Sequence, residues 1–232
     1  MRRLMTWRIC GAFLLVLLLF LQLTLTAIGA PKVIYQYASK NGKARVALSF
    51  DDGPHPKYTP QILDILKEFE VPATFFAVGV NAESYPALIK RIRDEGHELG
   101  NHTCNHYHVP KLSAQELARD IESCSSTIER IAGKAPRFFR PPEGICNQHV
   151  KEICEKQGMT IVLWSIDTRD WAHTPIDEIC RNVRSNVKNG SIILMHDFIG
   201  ANSPTPQALR QIVPMLKELG YEFVTISQLL ED

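Results

Sequence analysis

From residue 44 onward the chain alternates short apolar, β-branched runs with longer stretches in which apolar residues recur every three or four positions. A short apolar run bounded by turn formers reads as a buried strand, and the longer period as a helix packed along one face. The pattern predicts strands at Arg45–Phe50, Ala73–Val78, Glu98–Asn101, Arg137–Arg140, Thr160–Trp164, Ser191–Met195 and Glu222–Ile226. It predicts helices at Tyr58–Phe69, Tyr85–Glu95, Ser113–Ile131, Asn147–Gln157, Pro175–Val187 and Pro206–Leu219. Ser113 and Glu116 have the spacing of a capping box, and Thr174-Pro175 places a capping side chain before a first-turn proline. Strand and helix in regular succession make βα units, so the class is α/β with about seven strands, either closed into a barrel or left as an open doubly wound sheet.

The first thirty residues break this rhythm. Arg2, Arg3 and Arg8 precede an uncharged run from Ile9 to Ala30, interrupted only by Gln22, Thr24 and Thr26 among its Leu, Phe, Val and Ile. A spanning helix needs roughly 20 apolar residues, whereas the apolar part of a cleaved signal peptide has about 7–15. Residues 1–30 therefore read as an N-terminal hydrophobic helix that anchors the chain in the membrane. Ala27-Ile28-Gly29 supplies a cleavage pattern for the alternative, a signal peptide. Arginines before the run, with Lys32 beyond it, place the remainder outside the cytoplasm. Residues 31–43, with the Asn41-Gly42 turn signal, read as a linker, and 44–232 as one domain large enough to bury a core.

Charge changes this picture little. The net charge of +1 comes from scattered Lys and Arg, which gives no footprint for the phosphate contacts that nucleic-acid binding requires. Beyond Cys10 there are five cysteines, Cys104, Cys124, Cys146, Cys154 and Cys180, without a CxxC pair. Most of them read as small buried side chains, and the missing CxxC argues against a zinc ribbon or a thioredoxin-like site.

The polar residues are more informative, because they gather where predicted strands end. Asp51-Asp52 follows the first strand within Ser49-Phe50-Asp51-Asp52-Gly53-Pro54, where an ordinary turn competes with a metal-binding carboxylate beside a base. His102 and His106 are four apart in His102-Thr103-Cys104-Asn105-His106, a spacing that on a helical turn sets two imidazoles on one side to chelate one ion. His108 reads as an outer or surface residue, and Cys104 as pointing away from the ligand face. Arg140-Pro141-Pro142-Glu143-Gly144, Asp167-Thr168-Arg169-Asp170-Trp171 and Leu194-Met195-His196-Asp197 each have a bland account, as a rigid loop, a solvated charge cluster and a strand-end histidine. Their joint occurrence does not. In a (β/α) barrel the strand ends converge on one mouth, which favours the barrel over the open sheet.

With these five motifs in this order, the chain resembles the polysaccharide deacetylase family with the NodB homology domain, carbohydrate esterase family 4, from Ser49 to about Asp197. The resemblance implies a distorted (β/α) barrel and a divalent ion, with zinc the expected metal, held by Asp52, His102 and His106. It implies Asp51 as general base, positioned by Arg140, and His196 as general acid, hydrogen-bonded by Asp170. It further implies that Trp171 and Leu194 line an acetyl pocket and that Pro142 and Glu143 border the substrate groove. Many relatives carry Tyr or Arg where Glu143 stands, which bears on sugar preference. The implied activity is removal of N-acetyl groups from cell-wall amino sugars, the N-acetylglucosamine or N-acetylmuramic acid of peptidoglycan. Chitin oligosaccharides are the near alternative. An inactive carbohydrate-binding module is the alternative of another class, against which stands the filling of every expected catalytic position.

Overall fold

Nine parallel strands are described within residues 32–38 and 42–231 of the computed structural model. The N-terminal apolar run, with the anchor and signal-peptide readings, lies outside the described residues, among which no helix is long and apolar enough to cross a membrane. In chain order the elements are β1 (Val33–Ile34), β2 (Arg45–Asp51), α1 (Tyr58–Glu68), β3 (Thr74–Ala77), α2 (Gly79–Ser84), α3 (Pro86–Asp94) and β4 (Glu98–Asn101). They continue with α4 (Ala114–Ala132), β5 (Phe138–Phe139), α5 (Gln148–Lys156), β6 (Thr160–Val162), β7 (Ile166–Asp167) and α6 (Ile176–Asn186). Then come β8 (Ser191–His196), α7 (Thr205–Glu218), β9 (Glu222–Phe223) and α8 (Ile226–Leu230).

The strand order is β1-β6-β5-β4-β3-β2-β8-β7, with β9 paired to the start of β2. This is the α/β, distorted barrel expected from the sequence. The path is open between β1 and β7, yet β6 and β7 are separated by only Leu163–Ser165. One bent segment thus lies on both sides of the seam, and Ser165 adds a backbone bond to Ile192 in β8. The distortion is this bend.

Alternation along β2 explains how the barrel builds a site. Val46, Leu48 and Phe50 join the cluster packed beneath the helices, with Ile62, Leu66, Ile212 and Leu216. Ala47 belongs to the interior cluster with Phe76, Phe138, Val162 and Ile192. Side chains of a strand point alternately to its two faces, so Ser49 and Asp51 share the interior face with Ala47. Strand β8 does the same: Ile193 and Met195 pack outward, while Leu194 and His196 share the face of Ile192. Arg140 follows Phe138 by two residues. The interior is therefore apolar below and ionic at the carboxyl ends of the strands. The register pairs Ser49 with Leu194 and Asp51 with His196, which puts the two motifs at the same height.

Several expectations are corrected. Val33–Ile34, within the expected linker, is a strand paired with Ile161–Val162 of β6. The expected strand Glu222–Ile226 stops at Phe223, because Thr225 and Gln228 form a capping box that starts α8. That helix buries Ile226 and Leu229 in the interior cluster, opposite the mouth. Ser113 and Glu116 do form their capping box. Thr174 caps no helix; its hydroxyl donates to the Arg169 carbonyl at 2.8 Å, and the helix begins at Ile176. Helix α2 was not expected, since its six residues are too short to show a period. All five cysteines from Cys104 onward are free, and Cys124 and Cys154 are buried.

Gly100 on β4 is the Cα partner of Phe76, and a Cβ there would lie 2.4 Å from the Phe76 ring, which itself carries the Arg140 guanidinium at 4.0 Å. Gly100→Ala is expected to overpack this spot at a cost of about 1–3 kcal/mol, a fall of several degrees in melting temperature by calorimetry. A melting temperature equal to that of the parent protein would show that the barrel interior has more slack than this packing gives it.

Candidate active site and metal centre

Arg140 is fully buried and makes four hydrogen bonds that engage all three of its side-chain nitrogens. Nε donates to the Val162 carbonyl at 3.0 Å and Nη2 to the Leu163 carbonyl at 3.0 Å, both at the bend of the β6–β7 segment. Nη1 donates to Ser49 Oγ at 2.9 Å and to Asp51 Oδ1 at 2.7 Å. Burial presses the guanidinium pKa down while the Asp51 carboxylate opposes it, and an arginine keeps its proton in either case. One Asp51 oxygen is thereby occupied. The other, Oδ2, faces the metal-donor group, 3.9 Å from His102 Nε2.

Asp52 turns into the mouth because its backbone is left-handed, with φ 75°. Asn81 of α2 holds that turn, donating to the Asp52 carbonyl at 2.7 Å. Asp52 Oδ1 lies 3.3 Å from His102 Nε2 and 3.1 Å from His106 Nε2. One ligand atom from each of the three residues lies within 4.8 Å of the others. Donors about 2.0–2.1 Å from a tetrahedral ion stand roughly 3.3 Å apart, so the trio fits a metal of zinc's size. The tautomer fits too. His102 Nδ1 lies 2.7 Å from the Arg140 carbonyl, which can only accept, so Nδ1 carries the proton and Nε2 presents its lone pair. Burial would raise the Asp52 pKa, but without a metal the hydrogen bonds of His102 and His106, with the charges of His102 and His196 in their protonated forms, override it and hold the carboxyl well below the usual range.

The helical spacing argument for the two histidines is corrected. Residues 102–108 form a loop, in which Thr103 and His106 have φ of 67° and 53°. Two left-handed residues, not a helical turn, bring the imidazoles together, with ring centroids 5.0 Å apart. Cys104 faces α2 and α4 rather than the trio, near Gly79 and the Ser123 hydroxyl.

On the other side of the mouth, His196 ends β8. Its Nδ1 lies 2.7 Å from Asp170 Oδ1, and its backbone N–H donates to Asp170 Oδ2 at 2.7 Å. The Thr205 hydroxyl donates to the same Oδ2 at 2.6 Å. Burial lowers an imidazole pKa, but the bond and charge of Asp170, with Asp51 and Asp52 adding, raise that of His196 to about 9. It is an imidazolium at neutral pH, with its outer nitrogen free to donate.

These groups line one cleft of about 360 Å³: Asp51, Asp52, His102, His106 and His196, together with Glu143, Leu194 and Trp171. Trp171 is half-exposed, and Arg169 lies over its ring. Pro142 is buried in the turn and is not among the residues lining the cleft. Glu143, at φ 57°, reaches across the rim to His108, with Nδ1 3.0 Å from its carboxylate. Sequence reasoning gave no role to Trp164 and Asp167, which also line the cleft. Trp164 was expected in a strand, but β6 ends at Val162, and its ring stands 5.6 Å from Arg140 and against Gly144. Asp197 was also without a role. It is fully buried beneath the Asp51-Asp52-Gly53 turn, where Thr59 donates to it at 2.5 Å, and burial pushes its pKa up to about 7. The Gly53 signal was available: a Cβ there would collide with the Asp197 carboxylate.

Comparison with known proteins adds an independent line. Residues 38–162 match the family model for polysaccharide deacetylase. A peptidoglycan-N-acetylglucosamine deacetylase of Bacillus cereus is 43% identical over 192 residues, 82% of this chain and 90% of that protein. A chitooligosaccharide deacetylase of a Bradyrhizobium species is 36% identical over 205 residues, 83% and 94% of the two chains. The crystal structure of a peptidoglycan N-acetylglucosamine deacetylase with a naphthalenyl hydroxamate superposes with a TM-score of 0.82 at 40% identity, covering 86% of this chain and 92% of the other. The chain belongs to the polysaccharide deacetylase family.

Proposed function

We propose that this protein is a metal-dependent hydrolase that removes the N-acetyl group from N-acetylglucosamine in peptidoglycan. The observation that carries the reading is the arrangement in one cleft: a donor trio, Asp52, His102 and His106, flanked by a carboxylate fixed by Arg140 and an imidazolium fixed by Asp170. Two imidazole nitrogens and one carboxylate suit zinc among the divalent ions. When bound, such an ion polarises a carbonyl and makes water a stronger acid.

The chain's own groups then divide the proton transfers. Amide hydrolysis adds water to the acetyl carbon, breaks the C–N bond and leaves acetate and a free amine. Asp51, with Oδ1 held by Arg140, has Oδ2 toward the donor trio and takes the water proton. His196, charged at neutral pH, gives its proton to the departing nitrogen. Leu194 and Trp171 form the apolar wall for the acetyl methyl, and the exposed face of Trp171 suits a sugar ring. The named relatives support a glycan substrate, and the apolar run at 9–30 behind three arginines supports a place outside the membrane, facing the wall.

Acetate release from purified peptidoglycan should be abolished by a chelator and restored by zinc. Release that ignores the chelator would sink the metal reading, and a higher kcat/KM on chitin oligosaccharides would move the substrate to that polymer. Asp51→Asn should bind zinc like the parent yet lose roughly 10²–10⁴ in kcat, whereas His106→Ala should lose zinc affinity itself, measured by calorimetry. Equal zinc affinity in both variants would misplace the trio. Because His196 works in its protonated form, activity should persist until pH rises through about 9. Asp170→Asn removes the anion that raises this value, so the alkaline limb of the pH–kcat profile should move down by a unit or more. An unmoved limb would mean that another group supplies the proton.

A further inference from the structure

We propose that Asp120, on α4 and remote in sequence from all five motifs, is a positioning residue for the metal centre: it holds the loop between His102 and His106 in the shape that chelates. The inference rests on the metal reading given above.

The two histidines are fixed unequally. His102 is tied by its backbone N–H to Ala77 and by its ring to the Arg140 carbonyl, and its side chain is 3% exposed. The His106 side chain is 36% exposed, and among the described residues no other residue holds its Nδ1. Its position is inherited from the backbone of residues 103–105. That backbone is costly, because Thr103 is β-branched at φ 67° and His106 sits at φ 53°, conformations that persist only where the surroundings over-determine them.

Asp120 supplies the determination. Its Oδ2 accepts from the backbone N–H of Cys104 at 3.1 Å and of Asn105 at 3.3 Å, and Oδ1 accepts from the Asn105 side-chain amide. Successive backbone N–H groups turned to one anion form a nest. The carboxylate is only 8% exposed, and among the described residues no cation pairs with it. The three loop donors are what compensate its burial. Loop and carboxylate therefore require each other. Other ties hold the loop as well: Asn101 Oδ1 accepts from Thr103 N–H at 2.8 Å, Gly79 and Val80 N–H donate to the Thr103 and Cys104 carbonyls at 3.0 Å, and Thr103 Oγ1 accepts from His106 N–H at 3.0 Å. Asp120 is the carboxylate that takes the Cys104 and Asn105 N–H groups, the stretch that leads into His106.

The test is zinc affinity of the full chain, measured by competition with a chromophoric chelator and independent of turnover. Asp120→Ala should raise the zinc Kd by tenfold or more, and Asp120→Asn, which keeps an acceptor oxygen, should recover most of the loss. Asn105→Ala, at an exposed position, removes one of the three donors and should weaken zinc by about threefold. In the metal-free protein, amide exchange at Cys104, Asn105 and His106 should quicken in Asp120→Asn while the strands keep their protection. Should Asp120→Ala fail to fold, the two milder variants decide: zinc Kd within twofold of the parent in both overturns the proposal, as does the same result for a folded Asp120→Ala. A parent protein that binds no zinc removes the metal reading first and this inference with it, an outcome distinct from a parent that binds and variants that bind equally.

Discussion

The site depends on a single buried guanidinium. Arg140 is fully buried inside a parallel barrel, so its guanidinium must find its partners in the protein. The partners reach it from three directions: Ser49 and Asp51 from β2, the Val162 and Leu163 carbonyls from the bend after β6, and the Phe76 face beneath. The bend is what frees those two carbonyls, since a straight strand would spend them on a neighbour. The barrel's distortion and the arginine are thus one feature. Taking away either member of a buried ion pair leaves a bare charge in the core, at about 3–5 kcal/mol, so the geometry of Asp51 is bound to the stability of the barrel.

That coupling extends to the donor trio through the arginine's own main chain. The Arg140 carbonyl fixes the His102 ring, while its side chain fixes Asp51. One residue therefore sets the relation between the His102 ring and the Asp51 carboxylate, and both follow if it moves. On the opposite wall Asp170 plays the corresponding part, with one oxygen on the His196 ring and the other shared by the His196 backbone N–H and Thr205. Strand-end residues in this protein are thus held by hydrogen bonding, whereas the rim pairs, Glu143 with His108 and Arg169 over Trp171, are exposed.

The strand ends were legible in the sequence because a parallel barrel leaves a plain trace: apolar runs of four to seven residues, each followed by an out-of-place polar residue. Asp51, His102, Arg140 and His196 could be picked out on that ground. The loop geometry was not legible. His102 and His106 at a spacing of four read as a helical turn, but the loop holds Thr103 and His106 at positive φ and bonds to Asp120, 15 residues from Asn105, which periodicity does not report. Trp164 looked like strand because its neighbours are β-branched and apolar, and the bend that turns it into the cleft is imposed by Arg140 from another strand. Asp197 was visible beside His196 but not its burial, which follows from Gly53 on the first motif.

Asp51 and His196 show how the environment, more than residue type, sets what a side chain can do. Asp51 and His196 are Cα partners on adjacent strands, close enough for a direct ion pair that would occupy both. Each is instead engaged by a partner of opposite charge on its far side, Arg140 for the carboxylate and Asp170 for the imidazole. The arginine leaves the carboxylate one oxygen to spare, and the aspartate keeps the imidazole a cation with one N–H to spare. Asp51 and His196 can then stand within one cleft because the charge that each would otherwise seek in the other is already supplied from behind. Asp52 is answered, among the described residues, by the two histidines, with Oδ1 3.3 and 3.1 Å from their Nε2 atoms, an arrangement of one carboxylate and two imidazoles that suits a divalent cation.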